Sequence, residues 1–349
     1  MRRSESRSFS PWVESSSPAR ILLIRFHAMG DVALVLPAAA AIHALHPSAA
    51  IDVLTSPAAA GLVTAVALAG EVIAPPFPGR HSGRIPYALR TGILARSQRY
   101  DIILDLQRNW MSRTIRRIAS PRAWGEFDRF SPHPAWERIR ETSRRTGLAI
   151  GDSIPSIAVT PERQSAARQL LSRRGRTPEK KLVIFNPAGL WQTRNWPPEN
   201  YVELGKIWRE RMPVQFLLIG TERMREKAAM IASGLDGDTI DLTGATTLAD
   251  AMGCVAEADC MVSEDSGLMH MAWAAGVPVV ALFGSSRHDW SAPYGPRAVT
   301  LHSGDLPCGA CMDPACRFGD VHCLTRYAPE RVLDEATLLL QHSMKFRTT

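Results

Sequence analysis

The sequence has 349 residues, of which 45% are hydrophobic and 21% are charged, so it is long enough for two globular domains with buried cores. A formal net charge of +7 favours an anionic partner such as a nucleotide, an acidic glycolipid or a membrane surface. An aromatic content of only 7% and the lack of a recognised nucleic-acid motif argue against nucleic acid as that partner.

The first eighteen residues, MRRSESRSFSPWVESSSP, are rich in Ser and Arg and have no apolar centre. We therefore expect a disordered tail over 1–18 rather than a signal peptide. No apolar stretch is long enough to span a bilayer, since 255–284 is interrupted by charges, His270 and Pro278. These features predict a cytoplasmic protein.

Short apolar runs alternate with helical patterns along the chain, which is typical of parallel strands covered by helices on both faces. In the first half the predicted strands are Ala19–Phe26, Ala50–Ser56 and Tyr100–Gln107. In the second half they are Lys181–Gly189, Pro213–Gly220, Thr239–Gly244, Asp259–Asp265 and Val277–Gly284. The pattern predicts two doubly wound domains in series, facing each other across a cleft with ligands at the carboxyl ends of their strands.

The domain boundaries follow from these runs and from a linker predicted over 151–161. We expect a first Rossmann-like domain over 19–155 and a second Rossmann-like domain over 156–326. The remaining residues, 327–349, predict a C-terminal helix that packs back on the first domain.

The first motif, RFHAMGD, ends the first strand and places Asp31 at the start of a helix. Aspartate at that position can simply cap the helix, because it accepts hydrogen bonds from free N–H groups and favours the helix dipole. The alternative is a carboxylate at the ligand-binding edge that removes a proton from a sugar hydroxyl. His27 could share this role.

The second motif, NPAGLWQTRNWPP, runs from a strand into a loop and then into a helix that the two prolines begin. Thr193 and Arg194 lie in that loop. An arginine at the end of a strand can bind a pyrophosphate through two parallel hydrogen bonds, and a threonine hydroxyl can add another.

The third motif, VSEDSGLMHMAWAAGVPVVALFG, contains a helix start between two buried strands. Asp265 could be a plain N-cap and His270 a buried core histidine. Ser266 and Gly267 also let the backbone of a helix N-terminus approach a ligand closely, as phosphate sites require. A carboxylate beside a phosphate would repel it, so we expect Asp265 to meet sugar hydroxyls or to hold the loop.

Taken together, GD after the first strand, TRNWP and EDSGLMHMAWAAGVPVVALFG resemble glycosyltransferase family 9, the heptosyltransferases of lipopolysaccharide core synthesis. The segment DLTGATTLADAMGCVAEAD is also similar to the family, and the resemblance covers about 20–340. Near the C-terminus, CGACMDPACRFGDVHCLTRYAPERVL is most similar to heptosyltransferase II.

The resemblance implies a GT-B fold, ADP-heptose as donor, inversion at the anomeric carbon, a lipopolysaccharide inner-core acceptor and no metal requirement. It also implies that the first domain binds the acceptor and the second binds the nucleotide sugar, and it assigns Asp31 as the catalytic base. The residues it assigns to the donor site are Thr193, Arg194, Asp265, Ser266, Gly267, Leu268 and His270. This chain departs from the family's usual pattern in three places: Arg194 replaces a lysine, Ser266 replaces a threonine, and His27-Ala28-Met29 replaces Ser-x-Leu.

A basic stretch runs from Arg108 to Arg145 and contains ten arginines. Most of them are expected to form a solvated basic face. Such a patch also suits an acceptor that bears carboxylates and phosphates, and it could hold the protein on the anionic cytoplasmic leaflet of the inner membrane. We expect Arg113, Arg116 and Arg117, near one face of a predicted helix, to contact the acceptor together with His27.

Four cysteines within sixteen residues have the spacing C-x2-C-x4-C-x6-C: Cys308, Cys311, Cys316 and Cys323. In a cytoplasmic protein this clustering is compatible with a structural zinc ion. Reduced thiols that fix an irregular loop, or thiols that oxidise after purification, are the alternatives.

Two further functions fit the same motifs. One is another GT-B enzyme, either with a different nucleotide-sugar donor or acting as an epimerase, and the other is a binding protein for nucleotide sugars that does not catalyse transfer. The presence of both Asp31 and Arg194 argues against the second.

Overall fold

The computed structural model describes residues 8–79 and 81–347. The chain divides into two compact units, Met1–Ile157 (unit 1) and Ala158–Thr349 (unit 2). Each unit is a six-stranded sheet with helices packed against it. No helix among the described residues is long and apolar enough to cross a bilayer.

Unit 1 alternates strands and helices from its second strand onward. Its elements are β1 (Phe9–Ser10), β2 (Arg20–Ile24), α1 (Met29–Leu45), β3 (Ala50–Leu54), α2 (Pro57–Thr64), β4 (Val72–Ile73), α3 (Arg84–Ser97), β5 (Ile102–Asp105), α4 (Trp110–Ala119), β6 (Ala123–Glu126) and α5 (Ala135–Arg145). The strand order is β1-β6-β5-β2-β3-β4. All neighbouring pairs are parallel except β1 with β6.

Unit 2 repeats this plan. Its elements are α6 (Pro161–Arg173), β7 (Lys181–Asn186), α7 (Pro198–Arg211), β8 (Val214–Leu218), α8 (Arg225–Gly234), β9 (Thr239–Asp241), α9 (Leu248–Ala256), β10 (Cys260–Glu264), α10 (Gly267–Ala274), β11 (Val279–Phe283), α11 (His288–Ser291), β12 (Ala298–His302), α12 (His322–Thr325) and α13 (Pro329–Arg347). The strand order is β12-β11-β10-β7-β8-β9, and every pair is parallel.

These sheets confirm the two doubly wound domains expected from the sequence. The central strands are buried on both faces, as in the RILLI run of β2 and the VVALF run of β11. Continuous apolar runs of this kind form parallel strands because helices cover both sides of the sheet. Full burial of each such side chain contributes roughly 1.5–3 kcal/mol before conformational entropy is counted.

Two terminal segments differ from expectation. Residues 1–7 of the predicted disordered tail lie outside the described residues, but the rest of that tail contacts unit 1. Phe9–Ser10 forms the edge strand β1, which pairs with β6, and the backbone N–H of Trp12 donates to the Thr146 carbonyl at 2.9 Å. At the other end, α13 buries Val332, Leu333 and Ala336 in the core of unit 2, where it packs on α7, β10 and β11.

Candidate functional site

Each sheet has one point where the strand order reverses. In unit 2, β8 and β9 extend to one side of β7, whereas β10, β11 and β12 extend to the other. In open parallel sheets, ligands bind in the crevice that forms outside the carboxyl ends of the two strands at such a switch point. The loops after β7 and β10 therefore form the crevice of unit 2, and these loops carry the second and third motifs of the sequence.

Arg194 and Asp265, one from each loop, meet in an ion pair. Nη1 of Arg194 lies 3.2 Å from Oδ2 of Asp265, and the two side chains are 16% and 14% exposed. The guanidinium also stacks on the Trp191 ring, with Cζ 3.9 Å from the ring centroid. Nε of Arg194 is buried without a hydrogen-bond partner among the described residues. The arginine is thus held in place with donor capacity unused.

Ser266 begins α10 as its N-cap. Its hydroxyl accepts a hydrogen bond from the backbone N–H of Met269 at 3.4 Å and another from Nδ2 of Asn186 at 2.5 Å. Gly267 is the first helical residue, so its N–H and that of Leu268 belong to the first turn, which has no partners within the helix. The start of α10 therefore presents N–H groups and a positive dipole end in the same crevice.

The predicted donor residues Thr193 and His270 are both buried, at 2% and 5% exposure. The Thr193 hydroxyl lies 2.8 Å from the Ser285 hydroxyl and donates to the carbonyl of Asp313 at 2.5 Å. These contacts fasten the loop after β7 to two other loops of unit 2. Thr193 therefore orders the loop that carries Arg194.

Glu264, the last residue of β10, was not singled out in the sequence although it directly precedes Asp265. Its carboxylate is fully buried and accepts hydrogen bonds from the N–H of Gly189 at 2.6 Å and that of Trp196 at 2.8 Å. Gly189 and Trp196 flank Arg194 on either side in the same loop. A single buried carboxylate thus clamps both ends of that loop.

Burial raises the pKa of Glu264 to about 7, against the opposing effects of Lys227, the two N–H groups and the Tyr201 hydroxyl. A carboxyl group whose pKa is raised by folding destabilises the native state once it ionises. The free energy of unfolding of unit 2 should therefore fall as the pH rises from about 5 to about 7. When Glu264 is protonated at lower pH, one of its two carboxyl oxygens carries the proton and is a poorer acceptor for the N–H groups of the loop.

This arrangement is expected to make ligand binding in the crevice depend on pH. For ADP-heptose, the donor that the sequence resemblance implies, we expect the affinity to weaken below about pH 7, because protonated Glu264 no longer holds both loop ends. Titration calorimetry with ADP-heptose, whose pyrophosphate diester does not titrate near neutrality, measures this directly. Glu264→Gln should bind about tenfold more weakly than the unmodified protein at pH 8 and should lose the pH dependence. An unchanged pH profile in that variant would exclude the clamp.

Asp31 lies at the switch point of unit 1, between β2 and β5, as the third residue of α1. Its Oδ2 accepts a hydrogen bond from the N–H of Ala28 at 3.1 Å and forms an ion pair with Arg25. The side chain is 41% exposed, and both of these contacts are made by Oδ2. Asp31 therefore caps its helix through Oδ2 while its side chain stays accessible to a ligand, a geometry that is compatible with both interpretations of the first motif.

Arg25 was not predicted as a site residue. Its side chain is 14% exposed, it donates from Nη1 to the carbonyl of Leu106, and its guanidinium lies 5.7 Å from the Phe127 ring centroid. These contacts fix the guanidinium that orients the Asp31 carboxylate. An arginine directly after an apolar strand and six residues before the aspartate is the only signal that the sequence offers.

The four residues predicted to contact the acceptor have different environments. His27 is exposed and lies edge-on to Phe77. Arg113 and Arg116 both bind the buried Glu126, at 3.0 Å and 2.6 Å, and Arg116 is itself buried against the Trp124 ring. Arg116 thus has a structural role and does not offer a free charge. Arg117 is exposed, and Arg113 is partly so.

The four clustered cysteines line one cavity of about 200 Å³ that also touches Thr193 and Ser285. They are free thiols, and burial raises the pKa of Cys323 to about 11. Within residues 8–79 and 81–347, no three His, Cys, Asp or Glu side chains have an arrangement that could hold a metal ion. The side chains of these residues are therefore not arranged as a zinc site in the structure.

The sequence of this chain is similar to those of several known proteins. A family model for glycosyltransferase family 9 (heptosyltransferase) matches residues 131–322. Lipopolysaccharide heptosyltransferase 1 of Pseudomonas aeruginosa is 28% identical over 263 residues, which cover 69% of this chain and 67% of that protein. Lipopolysaccharide heptosyltransferase 2 of Salmonella typhimurium is 31% identical over 174 residues, which cover 46% of this chain and 47% of that protein. The matched length is thus about two thirds of the first relative and about half of the second.

Solved structures show the same fold. A family 9 glycosyltransferase from Veillonella parvula matches with a TM-score of 0.76 at 20% identity, covering 93% of this chain and 98% of that one. ADP-heptose heptosyltransferase II of E. coli matches with a TM-score of 0.72 at 23% identity, covering 93% and 99%. The fold is therefore GT-B. Because the family model matches more than half of the residues of this chain, the chain belongs to glycosyltransferase family 9, the heptosyltransferases.

Proposed function

We propose that this protein transfers heptose from ADP-heptose to an inner-core lipopolysaccharide acceptor, with inversion at the anomeric carbon and without a metal ion. The proposal is supported by family membership and by the names of the relatives. The observation that carries it is the crevice of unit 2, where Arg194, Asp265 and the start of α10 meet. A buried arginine beside a helix N-terminus suits a diphosphate.

The donor would bind with its diphosphate between Arg194 and the first turn of α10. The guanidinium pairs with Asp265 in the structure, so it must exchange or share that partner when the diphosphate enters. Asp265 then accepts hydrogen bonds from hydroxyls of the sugar. As the sugar–phosphate bond breaks, negative charge grows on the departing ADP, and Arg194 with the helix N-terminus stabilises it. This fixed positive charge takes the place of a metal ion.

The acceptor would react at Asp31. The oxygen of an acceptor hydroxyl attacks the anomeric carbon from the face opposite ADP, and the bond between that carbon and the diphosphate oxygen breaks. The carboxylate of Asp31 takes the hydroxyl proton while the new bond forms. Arg25 acts as a positioning residue, because its contact with Oδ2 fixes the orientation of that carboxylate.

The acceptor itself is proposed to be an anionic glycolipid. Of the four residues expected to contact it, Arg117, the exposed part of Arg113 and His27 remain available. Such an acceptor would bring the protein into peripheral contact with the cytoplasmic face of the inner membrane. We propose no nucleic-acid partner.

The function is tested by incubating the protein with ADP-heptose and a panel of truncated core acceptors, and identifying the products by mass spectrometry. We expect one heptosyl unit to be added to an inner-core acceptor at the same rate with and without EDTA, because no step needs a metal. Loss of transfer in EDTA, restored by a divalent ion, would contradict the metal-free mechanism. Transfer only from another nucleotide sugar would change the donor, and binding without transfer would make the protein a binding protein.

A further inference from the structure

Helix α3 of unit 1 exposes a stripe of large aliphatic side chains. Ile85, Leu89 and Ile93 are spaced four residues apart and are 61%, 45% and 62% exposed, and the neighbouring Leu94 is 41% exposed. Residues four apart lie on one face of a helix. The opposite face of α3 is also apolar and is buried in unit 1. We call the outward stripe of Ile85, Leu89, Ile93 and Leu94 the α3 face.

An exposed tryptophan lies beside this stripe. Helix α3 directly precedes β5 in the chain, and α4 directly follows it. Both helices therefore run antiparallel to that strand and parallel to each other. The two helices approach closely at Gly92 of α3 and Ile118 of α4. A Cβ atom added to Gly92 would lie only 2.8 Å from Cβ of Ile118. This register places Trp110, the first residue of α4, level with the start of α3. Trp110 is 49% exposed.

The surroundings of the α3 face are basic. The sequence has no Asp or Glu between Glu71 and Asp101. Arg90, Arg96 and Arg99 are exposed there, and none of the three pairs with a carboxylate of the described residues. Exposed aliphatic side chains, a neighbouring tryptophan and arginines without a carboxylate partner are the features of a segment that lies in a membrane interface.

We propose that the α3 face docks on a bilayer with anionic headgroups, with its aliphatic side chains in the interface and its arginines on lipid phosphates. Charge selects this occupant over a second copy of the chain. In a two-fold dimer the same arginines would face each other and repel, whereas an anionic leaflet attracts each of them. The α3 face and Asp31 belong to the same unit. Docking of this face on the bilayer would therefore bring the protein to the lipid-borne acceptor of the proposed reaction.

The test uses the full chain and vesicles made of equal parts phosphatidylglycerol and phosphatidylcholine. We expect binding in a flotation assay that weakens with added salt and is largely absent on vesicles of phosphatidylcholine alone. The variant Ile85→Ser/Leu89→Ser/Ile93→Ser should bind at least about tenfold more weakly. Arg90→Gln/Arg96→Gln should lose most of the preference for phosphatidylglycerol. The matched control Met230→Ser/Leu338→Ser changes two side chains of unit 2 that are 48% and 50% exposed, and it should bind normally.

A second measurement separates docking from catalysis and folding. The triple serine variant should transfer heptose to a water-soluble, deacylated acceptor as fast as the unmodified protein, and more slowly to an acceptor embedded in vesicles. Normal vesicle binding by this variant would overturn the proposal. The proposal would also be overturned if the unmodified protein did not bind vesicles and the triple serine variant differed from it in oligomeric state, measured by sedimentation. The α3 face would then be a contact between copies of the chain. If the unmodified protein binds vesicles but transfers nothing, the proposed function fails and the docking surface stands.

Discussion

Asp31→Asn is expected to lower the rate of heptose transfer by about 10²–10⁴-fold, the usual contribution of a general base. Asparagine preserves the shape of the side chain and can still accept the hydrogen bond from the N–H of Ala28, so α1 should keep its cap. It cannot take a proton from the acceptor hydroxyl. The rate constant of a single turnover with saturating donor and acceptor is the quantity to measure.

Donor binding distinguishes this effect from a general loss of structure. The affinity for ADP-heptose, measured by calorimetry, should stay near that of the unmodified protein, because the proposed donor residues all lie in unit 2. Asp128→Asn, which changes another exposed carboxylate of unit 1, is the matched control and should transfer normally. Full activity of Asp31→Asn would remove Asp31 from the mechanism.

Arg194→Ala is expected to weaken ADP-heptose binding and also to slow the chemical step. Removal of one fixed charge that stabilises a developing anion costs on the order of 3 kcal/mol, or about a hundredfold in rate. The variant also leaves Asp265 without its partner in the crevice, where its charge would repel the diphosphate. Affinity from calorimetry and single-turnover rates together separate the two contributions.

Two variants complete this experiment. Arg194→Lys keeps the charge but not the planar fork, so it should recover part of the affinity. Arg287→Ala removes an arginine of the same unit that pairs with Asp289, and it should have no effect. Unchanged ADP-heptose affinity in Arg194→Ala would contradict the proposed phosphate contact.

The sheets could be predicted from the sequence because their central strands are continuous apolar runs. All eight predicted strands contain an observed strand, from β2 in the first predicted run to β11 in the last. The strands that were missed, β1, β4, β6 and β12, lie at or next to sheet edges and are short or only partly buried. Such segments have no periodic apolar pattern that would distinguish them from loops.

The motifs predicted which loops form the donor site but not the contacts of each side chain. The Thr193 hydroxyl binds Ser285 and Asp313, which are 92 and 120 residues away in the sequence. Glu264 could not be recognised either. An acidic residue at the end of an apolar strand is expected to be exposed, unless the distant N–H groups that bind it are known. Arg116 looked like a surface charge because its burial depends on the packing of β6 and α4. Local patterns cannot encode partners that only the tertiary fold brings near.

The anomeric configuration of the product tests the mechanism most directly. If the acceptor oxygen displaces ADP in one step while Asp31 takes its proton, the heptose must be linked with the configuration opposite to that in ADP-heptose. Nuclear magnetic resonance of the purified product gives this configuration from the coupling at the anomeric carbon. Inversion is the predicted result, whereas retention would require an intermediate between donor and product and would contradict a single displacement at Asp31.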